Sequence, residues 1–311
     1  MEQRQLGRSG LMVSRLGLGT MDWGEGTRPE EAAAQLTEFV DAGGNLVDTA
    51  DVYGGGRSEQ ILGQLLNTVV DRDDIVVATK AGVTPRGYDS SRRHLLAALD
   101  RSLDRLCLDH VDLWQVHAHD PATPYEETMA ALDEAVASGR TRYVGVSNYG
   151  GWQLATAATW QRAWPGRQPI VSDQVEYSLL QRDPEREAVP AALDSGTSIL
   201  AWSPLGRGVL TGKYRTAIPA DSRAARDRLE DFVAPYLGEQ SSRIVESVAT
   251  AADGLGVTPL AVALAWVRDQ PGVAAPLVGA RTAAQLRAAL QAEELTLPDE
   301  IRDALDDVSD V

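Results

Sequence analysis

Two textures alternate along this chain. Short apolar runs of strand length recur at Ser14–Thr20, Asn45–Ala50, Ile75–Lys80, Val111–His117, Tyr143–Asn148, Ile170–Tyr177, Ser198–Leu205 and Val273–Ala280. Their interiors, such as Ile75-Val76-Val77-Ala78, are apolar without alternation, the pattern of parallel strands covered on both faces. Between them lie stretches with apolar residues three and four apart. Glu30–Ala42 carries Ala33, Leu36, Phe39 and Val40, and Ser91–Leu106 carries Leu95, Leu99, Leu103 and Leu106. That spacing predicts helices with one buried stripe. Gly43-Gly44 and Gly139 read as helix stops leading into the next strand. Most repeats are roughly 30 residues long, the size of one βα unit.

Eight such units predict a closed (β/α)8 TIM barrel, and 311 residues suit one barrel of about 250 residues with insertions, so 1–311 is read as a single domain. An open doubly wound sheet is the competing architecture, but no G-x-G-x-x-G occurs. Gly206–Lys213 resembles a P-loop only superficially: the glycine spacing is wrong and Tyr214 stands where Ser or Thr is required. Residues 1–13 precede the first strand and predict a hairpin closing the barrel floor, with a turn at Leu6–Leu11. Between Leu205 and Val273 the spacing more than doubles. A Pro/Gly/Arg-rich loop from Gly206 to about Asp227 precedes helical segments at Ser241–Leu255 and Thr258–Arg268. Asp299–Val311 predicts an amphipathic helix covering the barrel.

Charge narrows the partners. The formal net charge of −16 argues against general affinity for nucleic acid or anionic lipid, and any anionic cofactor needs a local basic cluster. Cys107 is the only cysteine, so no intrachain disulfide forms; it reads as a small apolar residue. No run of about 18 apolar residues offers a membrane span, and Met1–Gln5 lacks the apolar core of a signal peptide. The expected location is the cytoplasm.

Four residues fall at the ends of successive predicted strands: Asp48, Tyr53, Lys80 and His117. Catalytic groups of such barrels sit at that face. A tyrosine with a reference pKa of about 10 is a poor acid unless its phenolate is stabilised. An adjacent ammonium does this, and a buried ammonium in turn needs a carboxylate. Tyr53 then acts as proton donor, Lys80 and Asp48 tune it, and His117 orients the accepting oxygen. Taken singly, each has a plainer reading, as a structural ion pair or a lid residue.

The segment Val47-Asp48-Thr49-Ala50-Asp51-Val52-Tyr53-Gly54 with Ser58-Glu59, then Ala78-Thr79-Lys80, then Val111–His117, resembles the signatures of the aldo-keto reductases, in order and across nearly the whole chain. Gly206–Tyr214 with Ser222-Arg223 resembles the pyrophosphate belt of bacterial members and of potassium-channel β subunits. The resemblance implies a (β/α)8 fold, NADPH as cofactor, a small carbonyl substrate and an Asp48/Tyr53/Lys80/His117 tetrad. It also implies a cofactor cradle. Gly19, Thr20 and Met21 end the first strand. Ser147, Asn148 and Gln174 hold the nicotinamide carboxamide, and Trp202 stacks on its ring, followed by Ser203, Pro204 and Leu205. Gly206, Gly208, Lys213 and Arg223 meet the pyrophosphate. Gly279, Arg281 and Gln285 take the adenosine end, Arg281 pairing with a 2′-phosphate and so favouring NADPH over NADH. One departure stands out: the family's adenine-gripping Glu-Asn pair is Ala288-Ala289, which weakens that contact or shifts it elsewhere.

Trp23 and Tyr88 are expected as pocket walls beside Tyr53 and His117. The loops at Met21–Gly26, Val83–Ser90, His119–Pro124 and Gly206–Asp227 are expected to set specificity. A redox-sensing regulatory module with slow turnover is the alternative function. A metal site starting from His117-Ala118-His119-Asp120 lacks further ligands, so none is expected.

Overall fold

The computed structural model describes residues 1–215 and 230–310; Ser222 and Arg223 lie outside them. A hairpin of β1 (Gln3–Gln5) and β2 (Met12–Ser14) opens the chain. The barrel strands are β3 (Gly17–Gly19), β4 (Leu46–Asp48), β5 (Val76–Ala81), β8 (Val111–Val116), β9 (Thr141–Ser147), β10 (Ile170–Glu176), β11 (Ser198–Trp202) and β12 (Val273–Gly279). Each lies within a predicted segment or within two residues of it. They pair in parallel and in sequence, and β12 returns to β3, closing the barrel. A second small hairpin, β6 (Val83–Thr84) with β7 (Gly87–Tyr88), stands on the loop after β5.

Helices α1 (Pro29–Asp41), α2 (Arg57–Leu65), α3 (Arg92–Leu106), α4 (Tyr125–Ala137), α5 (Gly151–Arg162) and α6 (Ala188–Ser195) connect the strands. After β11 come a short α7 (Glu230–Val233), α8 (Glu239–Leu255) and α9 (Pro259–Arg268). The chain ends with α10 (Ala283–Leu290) and α11 (Asp299–Ser309). The cap chemistry follows the sequence. Ser91 accepts from the His94 amide at the start of α3, and Thr258 accepts from the Ala261 amide ahead of Pro259. Among the described residues no single helix is long and apolar enough to cross a membrane.

Two apolar layers follow from the period-two geometry of strands. Leu18, Val47, Val77, Trp114, Val144, Val146 and Ile199 face the helices. Leu46, Val76, Ala78, Leu113, Leu200, Ala275 and Leu277 belong to a second cluster that fills the barrel's lower interior with Leu6 and Val13 of the hairpin. The hairpin is the floor. Arg4 donates to the Val273 carbonyl, and the Gly7 amide donates to Ser198 Oγ. Two residues further along each strand the same inward face turns polar: Leu46 gives way to Asp48, Ala78 to Lys80 and Leu113 to Gln115. Packed apolar side chains therefore support a polar mouth from beneath.

Candidate active site

Strand register brings the predicted groups together. Asp48 lies opposite Ala78, and Lys80 stands one layer higher on the same face of β5. Lys80 is fully buried and Asp48 nearly so; Lys80 Nζ donates to Asp48 Oδ1 at 2.6 Å and to the Thr49 carbonyl at 2.8 Å. The other carboxylate oxygen, Oδ2, accepts from Gln174 Nε2 at 2.8 Å. With these hydrogen bonds, the partnered charge can stay in the interior where a lone ammonium would cost several kcal/mol. Burial pulls the Lys80 pKa down, but the attraction of Asp48 and then of Tyr53 outweighs it, and the net direction is up.

Tyr53 starts a short helical turn just past β4, with Lys80 Nζ 5.1 Å from its ring centre. The sequence predicts a phenol made more acidic by that lysine. Lys80 does act in this direction, by charge and by hydrogen bond, but burial is the larger effect and the net pKa is raised. The phenol is therefore protonated throughout the physiological range. His117 follows β8 and meets the Tyr53 ring edge-on, with centroids 6.0 Å apart. Burial, reinforced by the Lys80 charge, drives its pKa down to about 3, so the imidazole is neutral. Its Nδ1 is buried with no hydrogen-bond partner among the described residues.

Tyr53, Asp48 and His117 line one end of a cavity of about 500 Å³ that opens on the C-terminal face of the barrel. Its wall includes Gly19, Thr20, Met21, Ser147, Asn148, Gln174, Trp202, Ser203, Pro204, Leu205, Gly208, Lys213, Gly279, Arg281 and Gln285, each anticipated from sequence. The three side chains expected to hold an amide are tied into the protein. Ser147 Oγ donates to the Gln174 carbonyl, and Asn148 Nδ2 donates to the His117 carbonyl and to Ser147 Oγ. Trp202 Nε1 donates to Asn148 Oδ1 at 2.9 Å, which fixes the indole plane. At the other end Ala288, Ala289 and Leu260 present an apolar wall. Gln285 Oε1 accepts from the Arg281 amide, steadying the turn after β12.

Several expectations are corrected. Trp23 is not a pocket wall: it is fully buried, its Nε1 donating to Gln35 Oε1 of α1. Tyr88 is 56% exposed on the β6–β7 hairpin and stands outside the cavity wall. Gly206 also lies off the wall. Its φ of +53° turns the chain against Leu180. Cys107 is exposed; it caps α3 with φ of +55°.

The sequence reading missed Arg207 and Phe232. Arg207 lines the cavity and pairs bidentately with Glu176, Nε and Nη2 reaching its two carboxylate oxygens at 2.7 and 2.6 Å. Its guanidinium stacks 3.9 Å from the Phe232 ring centre, pinning the returning insert to the mouth. Arg207 had a signal in its place within the glycine-rich loop. Phe232 had none, because its contact arises across the insert. Among the described residues no group of three or more His, Cys, Asp or Glu side chains could hold a metal ion.

Comparison with known proteins agrees with this geometry. The profile of the Aldo/keto reductase family matches residues 15–310. The chain is 37% identical to an uncharacterized oxidoreductase, YrpG, of Bacillus subtilis, over 99% of this chain and 96% of that protein. It is 37% identical to a probable voltage-gated potassium channel subunit beta of rice, over 90% and 87% of the two chains. It is 34% identical to the L-glyceraldehyde 3-phosphate reductase of Escherichia coli, over 94% and 87%. A closed eight-stranded parallel barrel, a polar mouth over an apolar floor and a profile match from residue 15 to residue 310 lead to one assignment: this chain belongs to the aldo/keto reductase family of oxidoreductases.

Proposed function

We propose that the protein reduces aldehydes or ketones to alcohols with NADPH, Tyr53 acting as the general acid. The observation that carries this reading is the buried Lys80–Asp48 pair beneath a cavity-lining tyrosine. The cavity suits a dinucleotide. Its lining includes Asp48, Tyr53 and His117 together with Arg281 and Gln285, and also Gly208 with φ of +94°, whose backbone leaves room for a phosphate; a Cβ there would stand 3.0 Å from Lys213 Nζ. Bound NADPH would supply the hydride to the carbonyl carbon. Ser147, Asn148 and Gln174 would hold its amide and Trp202 its ring face, with Lys213 and Arg281 meeting its phosphates. A guanidinium fork suits a 2′-phosphate, which supports NADPH over NADH.

The protein's own groups complete the reaction. His117, neutral at physiological pH, donates a hydrogen bond to the substrate oxygen and fixes it near the phenol. Tyr53 passes its proton to that oxygen as negative charge develops there. The phenolate left behind is paired at once with the Lys80 ammonium, and Asp48 keeps that ammonium charged. Solvent at the mouth returns the proton to Tyr53 before the next turnover.

The test is Tyr53→Phe. It should lower aldehyde reduction by about 10² to 10⁴, the range of a lost general acid, while NADPH still quenches protein fluorescence with unchanged affinity. Turnover within about tenfold of the parent would overturn the assignment. The likeness to channel β subunits supports a second reading, a slowly turning redox sensor. A cofactor release rate far below the chemical rate on a reactive aldehyde would favour it.

A further inference from the structure

The turn that carries Tyr53 is poorly fixed by its own sequence. Gly54, Gly55 and Gly56 all have positive φ, at +58°, +65° and +92°. A glycine run of this kind is permissive and loses more freedom on ordering than any other residue type. Its position must be imposed from outside. One constraint comes from below: the Asp51 amide donates to the Lys80 carbonyl at 3.0 Å. A second comes from α3. A Cβ on Gly56 would lie 2.7 Å from Arg105 Cδ and 2.9 Å from its Nε, so the turn's backbone rests directly on that side chain.

Arg105 is itself held by a buried carboxylate. Its Nε donates to Glu59 Oε2 at 2.7 Å, its Nη2 pairs ionically with the same oxygen at 2.6 Å, and Glu59 is fully buried. The other oxygen, Glu59 Oε1, accepts from Thr79 Oγ1 at 2.6 Å. Thr79 is the residue before Lys80. One carboxylate thus reaches the neighbour of the lysine and, through Arg105, the turn of the tyrosine. Neither Glu59 nor Arg105 lines the cavity. A buried ion pair is weak evidence for stability as such, because desolvation offsets its attraction. Its retention behind this turn calls for another reason.

Asp51 completes the cluster. Its Oδ1 is buried without a hydrogen-bond partner among the described residues. Burial, reinforced by Glu59 and opposed by Arg105 and Arg101 of α3, raises its pKa to about 7.

We infer that the Glu59–Arg105 pair is a positioning device: it sets the Tyr53 turn against Lys80 from outside the cavity. This rests on Tyr53 being the acid, as proposed above. Arg105→Met, in the full chain, removes the support and leaves Glu59 unpaired. The expected result is a fall in kcat of about 10- to 100-fold, the cost of a misplacement near 1 Å, with NADPH affinity by fluorescence quenching unchanged. Arg105→Lys should restore part of the loss, and the acid limb of the pH–rate profile should move in Arg105→Met because Asp51 loses the counter-charge of Arg105. Should the methionine variant not fold, Arg105→Lys and the double variant Glu59→Gln/Arg105→Met decide by the same two readouts. A folded variant with kcat near that of the parent, beside an inactive Tyr53→Phe, overturns this inference alone. Activity retained in Tyr53→Phe overturns the reading beneath it.

Discussion

Replacing Asp48 with Asn isolates the energetic logic of the site. The substitution keeps the shape but strands Lys80, a fully buried side chain whose largest favourable partner is that carboxylate. In the parent, the raised pKa of Lys80 means that the native state holds its proton more tightly than the unfolded chain does. That stabilisation is present in full below the ordinary lysine pKa of about 10.4 and fades only as pH rises through the higher native value. In the variant the sign reverses. The stranded ammonium does best by releasing its proton, which at pH 7 costs at most about 4 to 5 kcal/mol, and at pH 9 about 2 kcal/mol. Unfolding entropy of about 2.1 cal/mol/K per residue over 311 residues converts these to a Tm deficit of about 7 °C at pH 7 and about 3 °C at pH 9. Thermal melts of parent and variant followed by circular dichroism at both pH values measure the gap. A deficit that is negligible at pH 7, or that does not narrow at pH 9, would refute the claim that Lys80 is a buried cation held by Asp48.

Two further titrations have opposite signs. His117 has its pKa depressed to about 3, so the unfolded chain gains a proton below about 6.5 that the native state refuses. Stability should fall by up to about 2 kcal/mol between pH 6.5 and pH 5 on this account, and denaturant midpoints of His117→Asn should lack that loss. Asp173 is fully buried in β10, with both carboxyl oxygens unpartnered among the described residues, and burial raises its pKa to about 8. Its stabilisation is complete below about pH 4 and drains away as pH rises toward 8. Asp173→Asn should therefore gain on the parent by up to about 4 kcal/mol between pH 5 and pH 8, read as a widening Tm difference; a constant difference would show that the carboxyl is not buried neutral.

The barrel was legible because parallel strands covered on both faces leave unbroken apolar runs, and Ile75–Ala78 is one of them. The meeting of Asp48 and Lys80 was legible because each sits two residues above an apolar floor residue on its own strand, as Lys80 does above Ala78, whereas Tyr53 lies on the turn beyond β4 and His117 just after β8. What escaped depends on contacts far apart in sequence. Trp23 occupies a mouth loop, and nothing local tells that its indole turns inward to Gln35. Tyr88 sits on a hairpin whose two-residue strands are too short to leave a periodic trace. The net pKa of Tyr53 was misjudged because the lysine is visible in the sequence whereas the depth of burial is not. The stack of Arg207 on Phe232 joins two ends of a long insert, a distance no pattern of spacing encodes.

The hairpin under the barrel has a practical side. The Met1 ammonium donates to the Ala42 carbonyl, at the end where α1 hands over to β4. A tag or tether placed ahead of Met1 therefore leaves from the pole opposite the opening between Tyr53 and Arg281. Anchored to a bead or electrode by that end, the molecule would stand with its entrance facing the liquid, and reagents could come and go unobstructed.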